Sequence, residues 1–294
     1  MARIAIKGAT LLGAGSRPAR ADIFIDKGKI VAIGRQPRSF TGARKIDAAG
    51  LHAAPPLLDR MAVAAPPSAL TLAAAVAGGS GNVLLRCAPA TAPAAVRCHM
   101  LAPLLDEDGV VGDLPASARA GCCGFWLSSH QLDKPESLLR AMRIAASCDL
   151  PVVADPRIRQ LGAEARLAAG VKALRLGLAG MPQAAEAAAV ALLIECAAEA
   201  GCRLHLAGIS CQRSLRFLAA AKSAGEAVTA DVQAANVLLD EDDAADFSLR
   251  HLVYPPLRSA QNRKALAAAL AAGVIDAMVT GHDDVPAERE SELF

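Results

Sequence analysis

The chain has 294 residues, a net charge of +2, 53% hydrophobic residues and only 3% aromatic residues. This length allows one large domain, or a large and a small one, with a sizeable core built from aliphatic side chains. Lysines and arginines are scattered singly, which argues against nucleic-acid binding. No run of about 18 uncharged apolar residues appears and the N-terminus alternates like a strand, so we predict neither a membrane span nor a signal peptide. We expect a soluble, cytoplasmic protein.

The first part of the chain predicts short strands joined by turns. In the segment ADIFIDKGKIVAIG, Ile23 and Ile25 alternate with polar residues, and Gly28 supplies a hairpin turn before a return strand. We therefore predict a small β unit over residues 1–52.

From about residue 69 onward, helical patterns alternate with strand patterns, as in a parallel sheet covered by helices. The helical patterns are SALTLAAAVAGGSG, PESLLRAMRIAASCD, EARLAAG, AAEAAAVALLIECAAEAG, SLRFLAAAKSAG and RKALAAALAAG. The strand patterns are NVLLRCA, RAGCCGFWLSS, LPVVAD, CRLHLAGIS, AVTADVQ and VIDAMVTG. Their repetition predicts an α/β fold with a TIM-type (β/α) barrel over residues 53–294.

Three segments carry a resemblance to a known family. AAPPLLDRMAVAAPP resembles the first barrel strand of dihydroorotases, in the amidohydrolase superfamily, with its pattern P-G-[LF]-[IV]-D-x-H-x-H. LVYPPLRS is similar to x-N-P-P-L-R-x, and VIDAMVTGH to I-D-x-I-x-T-D-H. The resemblance extends over nearly the whole chain. It implies a (β/α) barrel with a small N-terminal β-sandwich unit.

The residues that the family uses to bind zinc are replaced in the aligned patterns. PVVAD resembles P-V-x-x-H-x-E-D, which places Ala154 or its neighbour at a histidine, and Ala235 and Asn236 replace a double histidine. The resemblance implies ligand positions that are occupied here by Met61, Val63, Ala154, Gly208 and Gly281. Valine offers no donor atom and a thioether binds zinc poorly. We therefore expect no metal or other cofactor and no catalytic residue.

Three alternatives keep some activity in this barrel. The vacated mouth could bind a small molecule without metal, through a residual pocket of His205, Asn236, Tyr254, Arg258 and His282. A relocated metal could use His205, His251 and His282 with Asp231 or Asp283. A cysteine nucleophile would be Cys122 or Cys123, but we predict this pair to lie mid-strand as inert, buried thiols.

The resemblance also implies a partner. Non-catalytic members of this family accompany the catalytic chain of aspartate transcarbamoylase in pyrimidine biosynthesis and support its assembly, so we expect a structural subunit that is homo-oligomeric within such a complex. Family members continue well past the T-D-H strand, whereas this sequence stops at Phe294. Either the barrel closes differently or a C-terminal segment has been removed, and we expect a barrel that is short at its C-terminal end.

Overall fold

In this computed structural model, the structure describes residues 3–13, 18–60, 68–86, 96–162, 165, 167–246 and 253–281. The chain divides into two compact units, Met1–Leu57 and Leu58–Phe294. The sequence placed this boundary at residues 52 and 53. None of the helices in the described ranges is long and apolar enough to cross a membrane.

The first unit contains a five-stranded sheet. Its strands are β1 (Ile4–Leu11), β2 (Ala19–Asp26), β3 (Lys29–Ile33), β4 (Arg44–Asp47) and β5 (His52–Ala53). Strand β1 pairs antiparallel with β2 and parallel with β4 and β5. The predicted hairpin forms, because Lys27 and Gly28 both have positive φ, at 50° and 79°, as a tight two-residue turn requires. Phe24 and Phe40 pack edge to face with ring centroids 5.2 Å apart.

The second unit alternates strands and helices. Its strands are β6 (Leu57–Arg60), β7 (Ser80–Leu85), β8 (Arg97–Pro103), β9 (Gly124–Leu127), β10 (Val152–Ala154), β11 (Leu167–Ala168), β12 (Gly180–Met181), β13 (Leu204–Leu206), β14 (Val228–Gln233) and β15 (Ala277–Val279). Its helices are α1 (Ala69–Ala77), α2 (Leu114–Arg119), α3 (Pro135–Ser147), α4 (Val171–Arg175), α5 (Gln183–Ala200), α6 (Gln212–Ser223), α7 (Ala234–Leu238) and α8 (Ala260–Ala271).

Eight of these strands form one sheet in the order β6-β7-β8-β9-β10-β13-β14-β15. The strand pairs whose register is described, from β7 to β15, are all parallel. The two end strands approach each other, since the Thr280 hydroxyl donates to both carboxylate oxygens of Asp59 at 2.9 Å. The predicted TIM-type barrel is confirmed, as a nearly closed eight-stranded barrel.

The apolar core lies between the barrel and its helices. It contains alternate residues of the strands, such as Phe125 and Val152, packed against Met142 of α3 and Leu193 of α5. Eleven of the 18 residues of helix α5 are alanine or leucine, which favour helix, and the helix ends at Gly201 in the left-handed conformation that stops a helix.

Two local predictions were wrong. EARLAAG was predicted as a helix, but Leu167–Ala168 is a strand paired with Gly180–Met181. Both residues of that strand are buried, so tertiary packing overrides the helical preference of alanine. Cys122 and Cys123 precede β9 instead of lying within it, because the paired region of that strand begins at Gly124 opposite Leu101.

Candidate functional site at the carboxyl ends of the barrel strands

One set of paired residues on neighbouring strands identifies the inner face of the barrel. Trp126 of β9 pairs with Val153, Val153 with His205, and His205 with Thr229. Neighbouring residues such as Leu204 and Ala230 belong to the core outside the sheet. Because side chains alternate along a strand, Asp231 and Gln233 follow Thr229 on the inner face.

Asp231 is the centre of the polar contacts in the mouth of the barrel. Its side chain is only 1% exposed, and Arg60 binds it in a bidentate manner, with Nε 2.5 Å from Oδ2 and Nη2 2.9 Å from Oδ1. His205 Nε2 lies 3.0 Å from Oδ2, and the backbone N–H of Gly208 donates to Oδ1 at 2.6 Å. Burial disfavours the charged carboxylate, but the contacts with His205 and Arg60 outweigh burial and hold the pKa of Asp231 well below its usual range.

His205 is the one histidine of the predicted residual pocket within the described residues. Its Nδ1 lies 2.9 Å from the Thr229 hydroxyl, so both ring nitrogens have partners. Within the ranges that the structure describes, no three His, Cys, Asp or Glu side chains are grouped as metal ligands. Of the hypothetical relocated centre, His205 and Asp231 are in contact with each other, whereas His251, His282 and Asp283 lie outside the described residues.

The positions that the resemblance assigns to zinc ligands are filled in other ways. Met61 and Val63 lie outside the described residues. Ala154 belongs to the core between sheet and helices, and its neighbour Asp155 is the residue that lines the mouth. Gly208, with a φ of +68°, would place a Cβ 3.1 Å from Arg157 Nη2.

The last such position, Gly281, is closed in the same way. Its φ is +70°, and an added Cβ would lie 2.8 Å from Cδ and Oε1 of Gln233. A ligand side chain at Gly208 or Gly281 would therefore require its neighbours and the backbone to shift. The donors present do not fit the zinc centre that the resemblance implies.

A second arginine is fixed in the mouth by burial. Arg157 is 3% exposed, its Nη1 lies 2.9 Å from Asp155 Oδ1, and its Nη2 donates to the carbonyl of Gly208 at 3.1 Å. Its guanidinium also lies 4.9 Å from the ring centre of Tyr254. Burial lowers the pKa of Arg157, but the negative groups around it, of which Asp155 acts most strongly, together outweigh burial and raise this pKa. The side chain is a permanent cation.

A cavity of about 100 Å³ opens between these groups. Its lining consists of Arg60, Arg86, Arg157, Asp155, Trp126, Tyr254, Gln233, Ala207 and Gly208. The guanidinium of Arg86 stacks on the Trp126 ring at 4.7 Å. The sequence-based set did not contain the three arginines. A usable signal was nevertheless present, because Arg60 directly follows Asp59 at a strand end and Arg157 lies two residues after Asp155.

The remaining residues of the predicted pocket do not all face the cavity. Tyr254 lines the cavity, whereas Asn236 and Arg258 do not. The amide of Asn236 donates to the carbonyls of Pro255 and Pro256, at 3.4 and 3.3 Å. Arg258 donates through Nε to the Ser210 hydroxyl at 3.0 Å and through Nη1 to the Met181 carbonyl. His282 lies outside the described residues.

Glu186 of α5 organises the loop that follows β13. This fully buried carboxylate accepts hydrogen bonds from the backbone N–H groups of Ser210 and Cys211 and from the hydroxyls of Ser210 and Ser214. Four donors compensate for the cost of burying one charge. The hydrogen bonds of Glu186 therefore fix the loop that carries Gly208, which forms part of the cavity wall.

Cys122 and Cys123, predicted to be buried, are only half-buried. Three other observations are nevertheless typical of structural thiols. Cys123 donates its thiol to the Met100 carbonyl, and burial raises the pKa of this thiol. Burial also raises the pKa of Cys202 and of Cys211 to about 11. A nucleophilic cysteine requires a lowered pKa, so the raised pKa values of these thiols argue against an activated nucleophile.

Comparison with known proteins identifies the family of the chain. The chain is 32% identical to a dihydroorotase-like protein of Pseudomonas putida over 299 aligned residues, which cover 92% of this chain and 70% of that protein. It is 30% identical to a dihydroorotase-like protein of Pseudomonas aeruginosa, covering 99% of this chain and 75% of that protein. No family model matches the chain.

Solved structures agree at the level of the fold. A D-hydantoinase from Thermus sp. superposes with a TM-score of 0.81 at 22% identity, over 99% of this chain and 71% of that one. An L-hydantoinase from Arthrobacter aurescens superposes with a TM-score of 0.82 at 20% identity, over 100% of this chain and 72% of that one. With relatives of this similarity over most of both chains, the protein belongs to the dihydroorotase-like family of the amidohydrolase superfamily.

Proposed function

We propose that this chain is a non-catalytic dihydroorotase homologue that acts as a structural subunit for aspartate transcarbamoylase. The non-catalytic assignment rests on the surroundings of the positions at which the resemblance expects zinc ligands. Gly208 abuts Arg157, Gly281 abuts Gln233, and Ala154 lies in the outer core. A hydrolytic zinc site needs about three protein ligands and one open position to activate water.

The charges in the mouth support the same proposal. Two guanidinium groups, those of Arg60 and Arg157, are held by Asp231 and Asp155. A divalent cation placed beside them would be repelled, and Asp231 could serve as a ligand only by giving up Arg60. The chain therefore keeps a polar, folded mouth without needing a metal to neutralise its carboxylate.

The second half of the proposal concerns what such a chain is retained for. The resemblance implies association with the catalytic chain of aspartate transcarbamoylase, in which the homologue would contribute surface instead of chemistry. A cytoplasmic location and a homo-oligomeric arrangement within the complex belong to the same proposal.

The first experiment measures metal content and dihydroorotase activity of the chain purified without chelators, with and without added Zn²⁺. An active dihydroorotase treated identically is the control. We expect metal well below one ion per chain and no turnover above buffer. Stoichiometric metal together with turnover would overturn the non-catalytic assignment and favour a divergent amidohydrolase.

The second experiment mixes the chain with the aspartate transcarbamoylase catalytic chain of the same organism at micromolar concentration. Sedimentation velocity then compares the mixture with each chain alone. We expect a new, faster-sedimenting species that contains both chains. Two independent boundaries at every ratio tested would refute the assembly role while leaving the metal result intact.

A further inference from the structure

The short helix α4 has an apolar side that is exposed to solvent. Val171 and Leu174 are 64 and 81% exposed, and they share one side of the helix with Arg175, at positions i, i+3 and i+4. The opposite side is anchored, because Ala173 is buried in a small apolar core together with Leu257. We call the exposed side, formed by Val171, Leu174 and Arg175, the α4 face. Adjacent exposed apolar side chains with charged residues at their edge are typical of a protein–protein contact.

Opposite charges lie at the two ends of the α4 face. Arg175, at the C-terminal end of the helix, is exposed and makes no ion pair with any residue that the structure describes. At the N-terminal end, Glu241 Oε2 would lie 4.0 Å from a Cβ added to Gly170. Glu241 is likewise without an ion pair among the described residues, whereas Lys172 and Asp242 pair with each other. One unpaired cation and one unpaired anion therefore flank the apolar residues.

The loop that carries Glu241 is held in place by its own hydrogen bonds. The N–H of Glu241 donates to the carbonyl of Arg258 at 2.9 Å, and the N–H of Asp240 donates to Asp243 Oδ2, also at 2.9 Å. The Asp240 carboxylate in turn pairs with Arg263 of α8 at 3.3 Å. The carboxylate of Glu241 is thus already positioned beside the start of α4.

We propose that the α4 face binds a second copy of this chain across a twofold axis. An axis perpendicular to the helix, midway between Val171 and Leu174, places the two α4 helices antiparallel. Leu174 of each copy then packs against Val171 of the other, and Arg175 lies opposite Gly170, beside which Glu241 is located. A parallel arrangement would bring the two copies of Arg175 together. The unpaired charges therefore select the antiparallel contact.

A second copy fits this face because the face is complementary to itself. Its apolar residues meet each other, and its one cation meets its one anion twice. The patch is small beside the about 800 Å² that each partner buries in a stable complex, so we expect a weak dimer with a Kd of about 10–100 µM. The inference deepens the homo-oligomeric part of the proposed function and rests on that part alone. It requires neither the non-catalytic assignment nor the transcarbamoylase chain.

Sedimentation equilibrium of the full chain alone, from about 5 to about 500 µM, measures the self-association and spans the expected Kd. Leu174→Ser should weaken the dimer at least about tenfold, because the substitution removes the leucine from both copies at once. Leu70→Ser is the matched control, since Leu70 of α1 is also 81% exposed but lies outside the α4 face. This control should leave the dimer unchanged. Circular dichroism checks that both variants are folded.

A charge exchange tests the twofold geometry itself. Arg175→Glu and Glu241→Arg should each weaken self-association about tenfold, because each variant places two pairs of like charges across the axis. In an equimolar mixture, a dimer with one copy of each variant has opposite charges at both contacts again. The mixture should therefore associate within about threefold of the unchanged chain. Arg143→Glu, at an exposed pair with Glu199, is the arginine control and should not change the dimer.

Three results would overturn the proposal. The chain could remain monomeric up to about 500 µM, far above the expected Kd. Leu174→Ser and Leu70→Ser could associate alike, or the mixture of charge variants could associate no better than either variant alone. Should Leu174→Ser fail to fold, the charge exchange decides by itself. If Leu174→Ser keeps the dimer but loses the transcarbamoylase chain, the face serves a different protein and the proposal is likewise wrong. Because self-association is measured on one chain only, its failure is distinguishable from failure of the proposed assembly role.

Discussion

Replacing Arg60 by methionine tests whether the ion pair at the centre of the mouth stabilises the barrel. Methionine keeps the length of the side chain but removes both contacts to Asp231, at 2.5 and 2.9 Å. Asp231, 1% exposed, would keep only His205 and the Gly208 N–H. Breaking a buried pair costs about 3–5 kcal/mol, and we expect about 3 because two donors remain.

The effect should depend on pH in a defined direction. In the native chain the pKa of Asp231 is lowered, so its contribution is complete above the unfolded value of about 3.9 and is lost only as pH falls through the lower folded value. Without Arg60, the pKa of the buried carboxyl rises and the variant can relieve its unpaired charge by binding a proton. The difference in unfolding free energy should therefore be largest at pH 7 and smaller near pH 4.5.

The assay is urea unfolding of the full chain, followed by the fluorescence of Trp126, which reports on the unit Leu58–Phe294. A double-mutant cycle with Asp231→Asn isolates the pair, since the double variant should recover most of the loss. Arg143→Gln, at an exposed pair with Glu199, should change stability by less than about 0.5 kcal/mol. A loss below about 1 kcal/mol at pH 7, or an equal loss in the Asp231→Asn background, would refute the reasoning.

Three further outcomes follow from the site. Glu186→Gln should lower the unfolding free energy by about 3 kcal/mol in the same urea assay, because its buried carboxylate accepts from four donors; a change below 1 kcal/mol contradicts this. Gly281→Asp should lower the melting temperature and fail to create a metal site, since φ is +70° and Gln233 lies 2.8 Å from the added Cβ; restored metal binding would contradict the packing argument. Cys202 and Cys211, with pKa values raised to about 11, should resist a thiol reagent at pH 8 until urea is added, as mass spectrometry can show; rapid labelling of the native chain would disprove their burial.

Much of the barrel could be predicted because its signals are local. The alternation of helix and strand patterns is written in consecutive residues, as in the alanine-rich segment of α5 and the strand of AVTADVQ. The helix predicted for EARLAAG was wrong for the same reason. Alanine favours helix locally, whereas Leu167–Ala168 forms a buried strand paired with another segment. The strand β8 and the short helix α2 were not predicted at all.

The candidate site was also predictable only where its signals are local. The positions that the resemblance assigns to zinc ligands lie within linear patterns, so the residues that occupy them could be identified from the sequence. The ion pair between Arg60 and Asp231 could not be predicted, because these residues are 171 positions apart in the chain. Arginines that are scattered singly along the sequence converge only when β6, β7 and β10 become part of one barrel and their carboxyl ends meet at the same mouth.

This convergence bears on how the barrel accommodates a buried carboxylate. Asp231 is buried on the inner face of β14, and a buried carboxylate must be paired with a cation or be protonated. Arginine meets this need well, because its charge is permanent and its fork supplies donors in a fixed geometry. Under the proposed function, Arg60 and Arg157 maintain the polar mouth that the strand ends create. Each does so by neutralising a buried carboxylate, that of Asp231 or that of Asp155.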